Sequence, residues 1–275
     1  MQIKDLGEFG VIDLLTRMVV DQRSGPRNSS PFSGSPFSMN LTVDNGDDTA
    51  AWSVGQAAGL LVNELFTTDT MVEGVHFNLD QIGWRNLGWK SQAVNLSDVA
   101  AMGCAPLGSA ITLGLRGDLS VGGLVEMYRG MMEACRRHGG AIIGGDIVRS
   151  PMFFVTVALE GVAAVYTGAD VHADRFLTRD SASVGDKIAV TGSLGCSGGG
   201  LRMLSQGLGF DEETARHLTE AHHRPSPRVE QGMALAQQGV VTAMDISDGL
   251  VEDLGKLCEA SGVAGVIRSE RVPAD

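Results

Sequence analysis

Strand-length apolar runs alternate with helix-length periodic runs from residue 41 to residue 261, and no tandem repeat interrupts them. Such alternation specifies helices packed on a sheet, in an α/β or α+β arrangement of two domains. LTV at 41–43 and TAAWSV at 49–54 read as strands on either side of the acidic turn DNGDD. Further strands are expected over 60–70, over 109–115, at AIIGGD before a turn at 146, and over 152–165. Apolar spacing predicts helices over 7–20, 84–103 and 120–138, the last stopped by Gly139-Gly140. A second unit comes next, with a strand over Lys187–Thr191, a Gly-rich loop over 192–200 and a helix over 200–206. Helices are expected over 211–222, 226–238 and 248–261, with a strand at VVTAMDIS and another beginning the last residues. The domains are therefore set at 1–163 and 164–275. The Ser-, Pro-, Gly- and Asn-rich stretch 21–40 reads as a mobile loop.

Charge excludes some partners. With 33 acidic and 21 basic residues the chain carries −12, which repels nucleic acid backbones. Four cysteines, at 104, 135, 196 and 258, make no C-x-x-C and fit reduced, mostly structural thiols in a cytoplasmic protein. The N-terminal MQIKDLGEFG lacks a basic-then-apolar signal pattern, and the longest apolar run, 152–166, is interrupted by Glu160. That run is too short to span a bilayer, so no membrane role is expected.

Several polar groups sit where simple surface polarity does not account for them. Asp47 and Asp48 are adjacent in a turn, an unfavourable pair unless a cation or hydrogen-bond donors compensate. On this motif alone a solvated hairpin turn is the better explanation. Thr67, Thr68, Asp69 and Thr70 end an apolar strand, an edge where α/β proteins often hold ligands, or else they cap the next segment. His76 lies close by and is either a packed residue beside Phe77 or a ligand contact. Asn95 and Asp98 share a helical face inside an apolar run, so the carboxylate needs a cation or hydrogen bonds there. Gly144-Gly145-Asp146 permits close backbone approach, and Arg149 is three residues on. In Asp245-Ile246-Ser247-Asp248-Gly249, helix capping explains Ser247 and Asp248 and leaves Asp245 unexplained. Bare amides of the Gly-rich 192–200 stretch could cradle phosphate, although neither a Walker A loop nor a protein-kinase signature is present. Arg179 and Arg224 suit phosphate geometry.

The order of these motifs carries more than any one of them. TTDTMVEGVHF at 67–77, AVNLSDVAAMG at 93–103, GDD at 46–48, GGD at 144–146, RPSPR at 224–228 and DISDGL at 245–250 together resemble the signature run of thiamine-monophosphate kinases. The resemblance covers almost the whole chain. It implies a synthetase-like fold shared with aminoimidazole-ribonucleotide synthetase and selenophosphate synthetase. An N-terminal α/β domain forms a half-barrel that pairs in a homodimer, and a C-terminal α+β domain packs beside it. The implied reaction passes the γ-phosphoryl of ATP in line to thiamine monophosphate, with several Mg²⁺ ions between the phosphates. Carried over motif by motif, the metal set is Asp48, Thr67, Thr68, Asp69, Asp98, Asp146, Asp245 and Asp248. His76 faces the thiamine phosphate, and Gly145, Asp146, Arg179, Ser247 and Tyr128 touch ATP.

The chain departs from the pattern in three places. The 21–40 loop and the linker at 170–175 are longer than the resemblance implies, and a later G-G-E-D-Y-E-L segment that helps hold thiamine is absent from these 275 residues. The C-terminal domain is accordingly expected to be incomplete, with nucleotide binding less affected than substrate affinity. Two alternatives stay open: another ATP-dependent synthetase of the same superfamily, or a nucleotide- and metal-binding protein that has lost turnover. A first cysteine as late as Cys104 argues against a selenophosphate synthetase.

Overall fold

The computed structural model describes residues 39–43, 49–57, 60–163 and 176–274. The expected helix at 7–20, most of the 21–40 loop, Asp47, Asp48 and the 170–175 linker lie outside them. Strands β1 (Met39–Val43), β2 (Ala50–Ala57), β3 (Leu60–Val72), β4 (Ala105–Leu115), β5 (Ala141–Arg149) and β6 (Phe154–Val162) form one sheet in the order β1-β2-β3-β6-β4-β5. Only β4 and β5 run parallel. Helix α3 (Val121–His138) supplies the crossover that a parallel pair requires. It comes after α1 (Leu79–Ile82) and α2 (Trp84–Ala101). Beyond the sheet come α4 (Cys196–Gln206), α5 (Glu212–His223), α6 (Val229–Gln237) and α7 (Leu250–Ser261).

Strand alternation decides which face is covered. On β6, Val155, Val157 and Leu159 are buried under the helices, while Phe154, Thr156, Ala158 and Glu160 on the other face stay half-exposed. Ile111 and Leu113 of β4 and Leu65 and Met71 of β3 join the covered face. Eleven of the 18 residues of α2 are buried, which leaves this helix little solvent-facing surface. It crosses α3 at two glycines. A Cβ on Gly88 would stand 1.8 Å from the Met127 carbonyl oxygen, and one on Gly130 would stand 1.9 Å from that of Arg85. Each helix thus lays its backbone against the other. Among the buried polar groups of α2, Gln92 exchanges hydrogen bonds with Ser109 at 3.2 and 3.3 Å, and the Asn95 amide donates to the Ser91 carbonyl while its Oδ1 finds no partner among the described residues.

Several expectations are corrected. Gly144, Gly145 and Asp146 lie inside β5 rather than in a turn after it, because the β4 ladder continues to Arg149. A Cβ on Gly145 would fall 1.9 Å from the Ile111 carbonyl oxygen, so this glycine is needed for the two strands to close. The strands expected at 187–191, at 240–247 and near the C-terminus form no ladder among the described residues. A strand exists only beside a hydrogen-bonded neighbour, and here single bridges pair Thr178 with Thr242 and Leu194 with Ala274. Helix α4 starts at Cys196, four residues before the expected Gly200, because glycine lets its first turns abut α5. Helix α7 starts at Leu250 with Gly249 as its N-cap, rather than at Asp248. Among the described residues no helix is long and apolar enough to cross a membrane.

Helix α2 also joins the two halves of the chain. The Trp89 indole N–H donates to the Pro225 carbonyl at 2.8 Å, and the Arg224 guanidinium lies 4.3 Å from the Trp89 ring. Arg224 further pairs with Glu133 at 3.1 Å, which gives this arginine a junction role. Lys90 Nζ and His222 Nε2 stand 3.4 Å apart. A Cβ on Gly232 of α6 would meet the Ala100 carbonyl oxygen at 2.0 Å. Burial, then the charge of Lys90, then His223 push the His222 imidazole down to about 4.

The unfolded chain takes up the His222 proton near the ordinary histidine pKa of about 6.5, well above the folded chain. Stability is therefore full above that value and is lost as pH falls towards 4. Thermal midpoints measured across this window are expected to drop steadily, and His222→Asn is expected to flatten the decline.

Candidate functional site

The end of β3 splits its polar residues between the two faces. Thr67, Asp69 and Met71 point with the helix-covered set, and Thr68 and Thr70 point the other way. On the covered side the buried Thr67 hydroxyl donates to Asp98 Oδ2 at 2.5 Å. Ser97, one residue earlier on α2, donates to Asp245 Oδ2 at 2.9 Å. Two consecutive positions near the end of one helix thus bring together two carboxylates, Asp98 itself and Asp245, which lie far apart in the chain. Asp69 keeps some solvent-accessible surface, yet protein atoms crowd its carboxyl. Burial first, and the Asp245 charge second, raise its pKa, while the nearby His76 opposes them. Asp69, Asp245 and His76 are therefore one electrostatic neighbourhood, and Asp98 borders it, bonded by Thr67 two residues before Asp69 on β3 and adjacent to Ser97 on α2.

Local structure sets the presentation of each group. The hairpin after β3 turns at Gly74, where φ is 79°, and the buried Phe77 locks it by edge-on contact with Phe153 at 5.5 Å. His76 is left exposed, its Nδ1 accepting the Val72 N–H at 3.0 Å, so a neutral ring carries its proton on Nε2. Glu73 in the same turn is held by Arg116. On the other side, Oδ2 of the buried Asp253 accepts the N–H groups of Ser247, Asp248 and Gly249 at 2.9, 2.9 and 3.1 Å. Lys256 reaches Asp248 at 2.6 Å and Asp253 at 3.2 Å. This clamp shapes the loop just after Asp245.

The other expected site residues are more dispersed. Asp48 lies outside the described residues. Asp146 sits opposite Thr112, and the register continues through Thr156 to Thr70, whose hydroxyls stand 2.8 Å apart. That row belongs to the uncovered face together with Thr68. It places Asp146 three strand positions from β3, about 14 Å at the usual strand spacing. Gly145 has a packing reason of its own in the Ile111 carbonyl. Arg179 comes directly after the Thr178–Thr242 bridge and so runs beside the segment leading to Asp245, its carbonyl accepting the Ser261 hydroxyl at 2.6 Å. Ser247 is exposed within the loop clamped by Asp253. Tyr128 lines a depression of about 270 Å³ on α3 with Val121, Leu124, Val125, Arg129 and Met132.

Three groups are not singled out by the sequence. Ser97 tethers Asp245 across 148 positions, a contact without a local signal. Asp253 and Lys256 have one: acidic and basic residues within the first two turns of a helix that begins after Ser-Asp-Gly.

Oxygen donors of this kind suit a hard divalent cation such as magnesium. Among the described residues no three Asp, Glu, His or Cys side chains already close on one point as a metal cage. The fit lies in the charge instead, since Asp69 and Asp245 repel each other and a cation would relieve them.

Family models match both halves: AIR synthase related protein, N-terminal domain, over residues 46–163, and the corresponding C-terminal domain over 183–275. The chain is 34% identical over 273 residues to the thiamine-monophosphate kinase of Aquifex aeolicus strain VF5, spanning 99% of this chain and 77% of that relative. It belongs to the thiamine-monophosphate kinase family. A Salmonella typhimurium member of the family is 35% identical over 236 residues, covering 86% of this chain and 68% of its own length. Among solved structures, AaThiL complexed with AMPPCP and TMP superposes with a TM-score of 0.80 at 34% identity, over 99% of this chain and 76% of the other. The mixed sheet with packed helices agrees with the fold class expected from sequence.

Removing the Asp253 carboxylate strands three backbone donors and a lysine. Asp253→Ala is expected to cost about 3 kcal/mol in urea unfolding. It is also expected to speed amide exchange at Ser247–Gly249, with exchange in β3 and β6 unchanged.

Proposed function

We propose that this chain transfers the γ-phosphoryl group of ATP in line to thiamine monophosphate, giving thiamine diphosphate and ADP. The observation that carries the reading is the neighbourhood of Asp69, Asp98 and Asp245, fastened by Thr67 and Ser97. Membership in a kinase family, and likeness to a structure holding AMPPCP and TMP, set the chemistry expected there. We assign residues 1–163 to an N-terminal domain and 164–275 to a C-terminal one.

Two phosphate-bearing molecules repel each other, so the site must supply positive charge where they meet. Magnesium, when bound, would supply that positive charge and neutralise charge developing on the transferring group. The chain's own part is placement. Asp69, Asp98 and Asp245 would hold the ions, with Thr67 and Ser97 fixing the directions of two of these carboxylates. Asp48, Thr68, Asp146 and Asp248 complete the proposed metal set through the family's motifs. Lys256 already neutralises part of the charge of Asp248. His76 offers Nε2–H to the thiamine phosphate, because its Nδ1 is occupied by Val72. Gly145, Asp146, Arg179, Ser247 and Tyr128 form the proposed ATP side. No protein nucleophile is needed, and catalysis consists of positioning and charge compensation.

The uncovered sheet face, with Phe66 at 42% exposure beside Thr68, Thr70 and Thr156, supports a homodimer in which this face is covered by a second copy. A cytoplasmic setting suits four widely spaced cysteines that make no C-x-x-C.

Incubation with ATP, Mg²⁺ and thiamine monophosphate is expected to yield thiamine diphosphate. Asp69→Asn and Asp245→Asn are each expected to lower kcat at least about a hundredfold with unchanged circular dichroism. Rates within a factor of about two of the parent chain in both would remove the tether assignment. Mg²⁺ with a nucleotide at a hundred times its Kd is expected to add about 2.7 kcal/mol of stability, seen as a raised thermal midpoint.

A further inference from the structure

The Gly-rich stretch 192–200 takes no part in the carboxylate neighbourhood, and its cysteine has a different environment from the other three. Cys196 is the first residue of α4, an eleven-residue helix. Its Sγ lies 3.5 Å from Nε2 of His217 on α5. The crossing of the two helices fixes this pair. A Cβ on Gly200 would stand 2.2 Å from the Leu218 carbonyl oxygen, so α4 abuts α5 one residue beyond His217. Ser197, next to Cys196, is tied to His222 Nδ1 at 3.2 Å. The first turn of α4 is thus held against α5 at two successive positions, and the imidazole is held beside the thiol.

The thiol is also reachable. Cys196 is half-buried and His217 exposed. Cys104 and Cys135 are buried, and burial pushes both thiols up. Cys258 is half-buried inside α7, near its C-terminal end. Cys196 has a base within hydrogen-bond reach and, independently, the positive end of a helix dipole. Both stabilise the thiolate, the nucleophilic form.

We propose that Cys196 is a nucleophilic thiol that accepts a mixed disulfide from low-molecular-weight disulfides, with His217 as its base. In the step, His217 Nε2 takes the Sγ proton and the thiolate attacks one sulfur of R–S–S–R. A bond forms between Cys196 Sγ and that sulfur, the R–S–S–R bond breaks, and the departing R–S⁻ receives the proton from His217. One disulfide is consumed and one formed, so no further oxidant is required. Excess free thiol reverses the step. The step uses none of the proposed phosphoryl-transfer residues, so this assignment stands or falls independently of the kinase reading.

The test uses the aromatic disulfide DTNB on the native chain, monitoring release of the coloured thiolate. One thiol per chain is expected to react in a fast phase, and Cys196→Ser is expected to abolish that phase. The pH midpoint of the fast rate is expected below that of a free cysteine. His217→Asn and His217→Gln are each expected to move the midpoint up and slow the reaction about tenfold at neutral pH. Circular dichroism of each variant checks the fold, and the parent chain's pH profile stands without any variant. Glutathione disulfide is expected to add one glutathione at Cys196, located by peptide mass and removed by dithiothreitol. A fast phase that survives Cys196→Ser would overturn the proposal. So would a parent midpoint equal to that of a free thiol.

Discussion

Backbone-to-backbone packing of α2 is the constraint on which the rest of this structure depends. Gly88 receives the Met127 carbonyl, Gly130 of α3 receives that of Arg85, and Gly232 of α6 receives that of Ala100. No side chain separates these helices at the crossings, so small errors in their spacing cannot be absorbed by rotamer changes. The helix lies over the sheet through Leu96 and Val99 and meets the second half of the chain through Trp89 and Lys90. Its last turn carries Ser97 and Asp98. The position of the candidate site is therefore inherited from the most tightly packed element of the molecule.

That inheritance explains how like charges are kept close to one another. Thr67 and Ser97 each give a hydroxyl hydrogen to a carboxylate, and both stand on regular elements. Asp253 does for the loop beyond Asp245 what a sheet ladder does for a strand, binding three consecutive amides with one oxygen. The pKa of Asp69 is raised by its burial first and by the Asp245 charge second, so part of that repulsion remains uncompensated. A site built to receive cations and polyanions is expected to hold such residual repulsion, since relief of it favours the ligand-bound state.

The junction obeys a different electrostatic logic. Arg85 and Arg224 hold the Glu133 carboxyl at about 2, and Arg224 also covers the Trp89 ring. Beside this compensated cluster, Lys90 faces His222, and desolvation keeps both more readily neutral than in water. The contact between the halves is thus firm near Glu133 and sensitive to acid near His222.

Much of the sheet and helix layer was legible in the sequence, because its signals are local. The period-two burial of β6, the apolar faces of α2 and α3 and the glycine stops after α3 all arise from residues a few positions apart. The motif run from Thr67 to Asp248 likewise identified the family. What sequence could not decide were the contacts that need a partner far along the chain. Lys187–Thr191 has strand composition but no ladder, Gly145 lies within a strand, and the helix at Cys196 starts early because Gly200 can touch α5. The same holds at the site, where only tertiary structure brought Ser97 to Asp245 and His217 to Cys196 and left Asp146 three strands from Asp69. Periodicity is written within a few residues and survives without context. Strand pairing, helix crossing and charge proximity are properties of two segments at once, and only the folded chain fixes them.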